Sequence, residues 1–223
     1  MVSVMVVDDE ALVRSGLELI LGSADDVEVV ATTDGVHAVE VARRTRPDVM
    51  LLDVRMPQVD GLAVLRELAA WAARPAVAML TTFDSDEFIA QALSGGAAGF
   101  LLKDTEPDQL LAAVRTLAAG GSVLSPAVTR TVINGYLDGS ARPADVARIK
   151  AMSQREREVL RLMGLGLSNA DIARRMHLST ATVKDYVSAV LVRLGVANRV
   201  QAAIVAHEVG IMPAVDAESG WRR

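Results

Sequence analysis

An α/β fold with a doubly wound, five-stranded parallel sheet, followed by a second, smaller all-α domain, is the class that this 223-residue sequence predicts. Three observations carry the prediction. Short apolar runs such as Val4-Met5-Val6-Val7 and Val49-Met50-Leu51-Leu52 stop abruptly at polar residues, as strands buried on both faces of a parallel sheet do. Segments with apolar residues at helical spacing alternate with these runs as far as about residue 120. Beyond residue 150 the strand-like runs cease, and oxygen-bearing helix caps follow one another closely.

The first strand ends at Asp8-Asp9. Val13, Leu17, Ile20 and Leu21 then mark a helix closed by Gly22-Ser23. Residues 27–31 read as the second strand and 35–45 as the second helix, with Pro47 stopping it before the third strand, which ends at Asp53. The fourth strand ends at Thr81 and the fifth, Phe100-Leu101-Leu102, at Lys103. Helices at about 60–72, 85–94 and 107–119 follow these three strands, and Gly120-Gly121 ends the last. Val128, Val132 and Ile133 suggest a linker helix within 126–137, while 138–143 forms the flexible boundary. The expected domains are therefore 1–120 and 151–212, joined by a partly helical linker over 121–150 and followed by a flexible tail over 213–223.

Composition excludes several classes. A hydrophobic content of 51% supports real cores, yet Arg66, Glu67 and Arg74 interrupt the most apolar stretch, so no run reaches the 18 or more residues of a membrane span. No basic region precedes the first apolar segment, which argues against a signal peptide, and the chain is expected in the cytoplasm without a membrane partner. The absence of cysteine removes disulfides and thiolate metal sites. Residues 1–144 balance to −9 and residues 145–212 to +4, a division that suggests nucleic acid as the partner of the second part. His37, His177 and His207 lack metal-ligand spacing and read as surface or packing residues; Met152, Met163 and Met176 read as core fillers.

Strand ends converge on the C-terminal edge of a parallel sheet, where open α/β folds place their sites. Asp8, Asp9 and Asp53 would supply hard oxygen ligands for a small divalent cation such as Mg²⁺. Asp53 can then act as a nucleophile toward a phosphoryl donor, with the Thr81 hydroxyl and the Lys103 ammonium binding the new phosphoryl oxygens.

In the second part, Ser153-Gln154-Arg155-Glu156 is a capping box, Ser168-Asn169-Ala170-Asp171 a close variant, Ser179 caps a third helix and Asn198 a fourth. Met176-His177-Leu178 is a tight turn, so the middle pair reads as a helix-turn-helix. Val183, Val187, Val190, Leu191 and Leu194 form one apolar stripe, leaving Thr182, Lys184, Asp185, Ser188 and Arg193 on other faces. Val200, Ala203 and Ile204 recur at helical spacing and suggest that the last helix pairs with its mate in a homodimer.

Asp8-Asp9, Asp53-Val54-Arg55-Met56-Pro57 with Asp60-Gly61, Thr81-Thr82, and Gly99-Phe100-Leu101-Leu102-Lys103-Asp104 together resemble the receiver domain of two-component response regulators. The segments 153–160, Gly166-Leu167-Ser168-Asn169-Ala170-Asp171-Ile172-Ala173, 178–184 and Leu194-Gly195-Val196-Ala197-Asn198-Arg199 resemble the LuxR-type helix-turn-helix domain, and the two together are similar to the NarL/FixJ architecture. The resemblance implies a flavodoxin-like receiver phosphorylated on Asp53 by a sensor histidine kinase with Mg²⁺ at Asp8, Asp9 and Asp53, and a switch through Thr81 and Phe100. It also implies promoter binding as a dimer on phosphorylation or DNA binding. Matched position by position, Ser179, Thr182 and Lys184 look like DNA contacts, with Asp185 and Ser188 facing the groove. Departures are local: Asp185-Tyr186, Ala189 and Val192 thin the positive charge of the reading helix, and Phe100 stands where Tyr is more usual.

These features predict a phosphorylation-controlled transcription regulator rather than an enzyme. An alternative, a haloacid-dehalogenase-type phosphatase, requires a carboxylate two residues after the nucleophile, where this chain has Arg55. A phosphate-sink interaction protein is a further alternative, against which the segment from Ser153 to Arg199 counts.

Overall fold

The computed structural model describes residues 1–71, 73–81, 86–124 and 143–211. The expected linker helix at 126–137, most of the boundary segment 138–143, Thr82 and the tail with Trp221 lie outside the described residues. The chain divides into two compact units between residues 136 and 137.

The first unit alternates strand and helix: β1 (Val2–Val7), α1 (Ala11–Leu21), β2 (Val27–Thr33), α2 (Ala38–Thr45), β3 (Val49–Asp53), α3 (Gly61–Ala69), β4 (Ala76–Thr81), α4 (Asp86–Ser94), β5 (Gly99–Leu102), α5 (Pro107–Ala118) and β6 (Val123–Leu124). All pairings are parallel in the order β2-β1-β3-β4-β5-β6. Strand order reverses between β1 and β3, and a crevice opens outside the carboxyl ends of strands at such a point. Register fixes what enters it. Val7 lies opposite Leu52, Asp53 opposite Leu80, and Thr81 opposite Leu102, so the residues that end these strands share one edge.

Val49, Met50, Leu51 and Leu52 of β3 are all fully buried, which accounts for an unbroken apolar run rather than an alternating one. Val4, Val6, Val49, Leu51, Ala78, Leu80 and Leu101 pack with Leu17 and Leu21 of α1 and Leu110, Val114 and Leu117 of α5. The sheet has six strands where the sequence predicts five. β6 contributes two residues beside β5, too short a stretch to carry a period. α2 starts at Ala38 rather than at residue 35, because Asp34 Oδ1 accepts from the His37 N–H at 3.1 Å and closes a turn first.

The second unit holds α6 (Pro143–Lys150), α7 (Gln154–Gly164), α8 (Asn169–Met176), α9 (Thr180–Leu194) and α10 (Arg199–Glu208). All four expected caps form: Ser153 and Ser168 in capping boxes with Glu156 and Asp171, Ser179 accepting from the Thr182 N–H, and Asn198 from the Gln201 N–H. Between α8 and α9, His177 takes the left-handed conformation at φ 55° and the Leu178 N–H reaches back to the Ala173 carbonyl at 2.9 Å. Met152 and Met163 are buried with Leu160, Ile172, Val183, Val190, Leu194 and Ala206; Val187 and Leu191 are only partly covered. α6, read from sequence as linker, instead buries Ile149 in this core. Among the described residues no single helix is long and apolar enough to cross a membrane.

Candidate functional site

The crevice at the switch point collects the expected acids. One carboxylate oxygen from each of Asp8, Asp9 and Asp53 lies within 4.8 Å of the other two. Asp8 is fully enclosed and Asp53 nearly so, while Asp9 is exposed, so the cluster opens to solvent on one side. Lys103 Nζ lies 2.7 Å from Asp8 Oδ2 and 3.3 Å from Asp53 Oδ1, placing one ammonium between the two buried carboxylates. The contact with Asp8 is electrostatic. Asp8 Oδ2 is buried without a well-aligned hydrogen bond. Its Oδ1 accepts from the Glu10 N–H at 2.9 Å, and Arg14 donates to the Asp8 and Asp9 carbonyls, tying α1 to the end of β1.

Burial pushes the Asp53 carboxyl above the usual carboxylate range, Lys103 opposing the rise and Asp8 adding to it. Burial works against the Lys103 ammonium, but its pairing with Asp8 and Asp53 outweighs that and raises its pKa. Thr81 is buried at the end of β4, where its carbonyl accepts the Lys103 N–H at 3.0 Å. Phe100 is a core residue, 2% exposed. Thus Asp8, Asp9, Asp53 and Lys103 meet directly, Thr81 borders them through the Lys103 backbone, and Phe100 lies inside the fold.

The second candidate surface is the outward side of α9. Ser179, Lys184, Asp185 and Ser188 are exposed and Thr182 half-exposed, while Val183, Val190 and Leu194 hold the helix to the core. Ser179 Oγ and Thr182 Oγ1 are 2.8 Å apart, and the Ser188 hydroxyl donates to the Lys184 carbonyl at 2.9 Å. Val192 is 80% exposed. On α10 one expectation needs correction. Val200 is only 8% exposed, whereas Ala203 and Ile204 keep surface.

The family models for the response regulator receiver domain and for bacterial regulatory proteins of the luxR family match residues 4–115 and 150–206. The transcriptional regulatory protein LnrK of Bacillus subtilis is 36% identical over 217 residues, spanning 95% of this chain and 99% of its own. The nitrate/nitrite response regulator protein NarL of Escherichia coli is 34% identical over 207 residues, covering 92% of this chain and 95% of its own. The chain belongs to the NarL/FixJ family of response regulators. A crystal structure of the response regulator ChrA, from a heme-sensing two-component system, matches with a TM-score of 0.51 and 34% identity over 95% of this chain and 98% of that one.

This response regulator is a receiver joined to a LuxR-type DNA-binding domain, a transcriptional regulator of a two-component system. The receiver implies a histidine kinase as partner and the second domain implies DNA. Receivers generally bind Mg²⁺ at an acidic pocket, and here Asp8, Asp9 and Asp53 form an acidic cluster. The sequence does not single out how tightly the response regulator packs behind Asp53. A Cβ on Gly61 would stand 2.1 Å from the Asp53 carbonyl oxygen, so only glycine lets α3 begin there, with the Asp60 side chain capping it through the Ala63 N–H at 2.7 Å. Asp60-Gly61 after a strand is a signal for this close approach.

Proposed function

We propose that Asp53 is the phosphoacceptor of this response regulator and that its phosphorylation controls promoter binding through α9. A carboxylate oxygen of Asp53 attacks the phosphorus of a phosphohistidine on the sensor kinase; a P–O bond forms, the P–N bond breaks, and the imidazole leaves with a proton from solvent. Lys103 neutralises the charge that gathers on the phosphoryl oxygens, and Asp8 holds Lys103 toward Asp53. Asp8, Asp9 and Asp53 suit a hard divalent cation: their oxygens are close together, Asp9 faces solvent, and Asp8 Oδ2 lacks an aligned donor. Bound Mg²⁺ supplies electrostatic stabilisation of phosphoryl charge. Thr81 and Phe100 relay the change at Asp53 to the surface around α4 and β5.

Residues 1–120 act as the receiver, 121–150 as a linker whose last helix attaches to the domain that follows, and 151–212 as the DNA-binding domain. Ser179, Thr182 and Lys184 contact the DNA backbone or bases, Asp185 and Ser188 face the major groove, and Ala203 and Ile204 meet a second copy on paired half-sites. The chain is a regulator working in the cytoplasm rather than a turnover catalyst. The phosphatase alternative is not favoured, because the residue two beyond Asp53 is the cation Arg55.

The observation that carries this reading is Lys103 lying between buried Asp8 and Asp53 at the switch point. Asp53→Asn should abolish labelling by radioactive acetyl phosphate or a cognate kinase, since an amide is a poor nucleophile. Stoichiometric labelling of the variant would overturn the assignment.

A further inference from the structure

Arg55 has a place in the crevice that the phosphoacceptor reading does not use. Arg55 stands two residues beyond Asp53, just past the end of β3, and so lies beside the group that would carry the phosphoryl. Val54 and Met56 on either side are buried, and Arg55 itself is exposed, so its side chain runs outward over the rim. Its guanidinium carbon lies 5.3 Å from the centroid of the Phe88 ring on α4. Among the described residues that ring is its only side-chain partner. Phe88 is half-exposed, on the flank of a helix whose Ile89, Ala92 and Leu93 are buried, so losing the contact would leave α4 anchored.

We propose that Arg55 is a positioning residue with two alternative partners, the Phe88 ring before phosphorylation and the phosphoryl oxygens on Asp53 afterwards. This rests on Asp53 being the phosphoacceptor. A cation over an aromatic face at an exposed site is a weak interaction, whereas a planar guanidinium donating to a phosphoryl of charge near −1.5 to −2 makes charge-assisted hydrogen bonds roughly twice as strong as neutral ones. The exchange therefore runs toward the phosphoryl group. Phosphorylation then unties α4 from the loop between β3 and α3, a shift whose size is set by the difference between the two contacts. Phe88 competes with the phosphoryl group for Arg55, so it acts as a brake on the phosphorylated state.

The test is calorimetric titration of the full chain with beryllium fluoride in the presence of Mg²⁺, using a phosphoryl analogue that needs no kinase. Phe88→Leu should raise the affinity about threefold by removing the competitor, and Arg55→Gln should lower it about tenfold. With Arg55→Gln already present, Phe88→Leu should add nothing, an outcome that a merely structural role for Phe88 would not give. An unchanged affinity in Phe88→Leu, or an equal effect of Phe88→Leu with and without Arg55, would overturn the exchange. Asp53→Asn separates the two failures. If Asp53→Asn binds the analogue like the parent, the phosphoacceptor reading falls and the exchange with it; if it abolishes binding while Phe88→Leu is silent, only the exchange falls.

Discussion

The crevice of the receiver and the proposed reading face of α9 are built in opposite ways. In the crevice Asp8 and Asp53 are buried, both paired with Lys103 and fixed by strand register, so chemistry and stability share the same atoms. On α9 the candidate residues are exposed and the helix is held by a different set, Val183, Val190 and Leu194. The first region cannot vary without disturbing the fold. The second is free to change sequence preference while the fold stays as it is, because Lys184, Asp185 and Ser188 are exposed and do not hold the helix to its core.

That contrast can be broken most severely at Lys103. Lys103→Ala leaves Asp8 enclosed without its cation, and should cost about 1–3 kcal/mol at pH 7, less than the loss of a wholly buried pair because the ammonium is partly solvated. The pH dependence sharpens it. The folded pKa of Asp53 is raised, so its ionisation costs stability above that folded pKa, and the cost disappears as pH falls through it toward the ordinary 3.8. The deficit of Lys103→Ala, measured by denaturant titration, should therefore shrink as pH is lowered from 7 to 4; a deficit independent of pH would show that the pairing is not its cause.

Next is Gly61→Ala, whose Cβ meets the Asp53 carbonyl at 2.1 Å and forces backbone to move. It should lose about 1–3 kcal/mol of stability and also slow labelling of Asp53, joining fold and chemistry in one substitution. Normal labelling with normal stability would mean that the start of α3 yields easily.

The substitutions on α9 should behave otherwise. Lys184→Ala should leave thermal stability within about 0.5 kcal/mol, weaken operator and random DNA alike, and lower the salt slope by about one if it contacts a phosphate. A drop in melting temperature comparable to Lys103→Ala would erase the contrast between the two regions. The smallest effect belongs to Asp185→Asn. A carboxylate facing the groove is repelled by phosphates but accepts from cytosine N4, so the amide should bind random DNA more tightly and lose about 1–3 kcal/mol of discrimination at one cytosine of the operator. Equal strengthening on both duplexes would show that Asp185 reads no base.

The same contrast governs what the sequence reveals. Asp8, Asp53, Thr81 and Lys103 are legible because each ends an apolar run, and parallel pairing aligns strand ends whatever the helices do. That Lys103 lies between Asp8 and Asp53 is not legible, since side-chain pairing depends on burial at the edge. The tightness at Gly61 escapes for the same reason. Helical spacing correctly gives the arc of Val200, Ala203 and Ile204, but not its rotation against neighbouring helices, and the first turn of α10 is tucked in: Arg199 is buried, donating to Asn169 and the Leu167 carbonyl with its pKa pushed down to about 10, and Val200 follows it inward. β6 and α6 are missed because two residues carry no period and an eight-residue helix after a breaker-rich stretch carries little.

α6 has a practical consequence for dissecting the protein. Arg148 donates to the Leu194 carbonyl at 2.9 Å, closing the C-terminal end of α9, and to Asp145 at 3.0 Å, while Ile149 fills the core beneath. A fragment cut at residue 151 would lose Ile149 from the core and leave the end of α9 without its arginine. A minimal autonomous DNA-binding fragment should begin before Pro143, and limited proteolysis of the full chain should yield a resistant C-terminal core whose first residues precede α6.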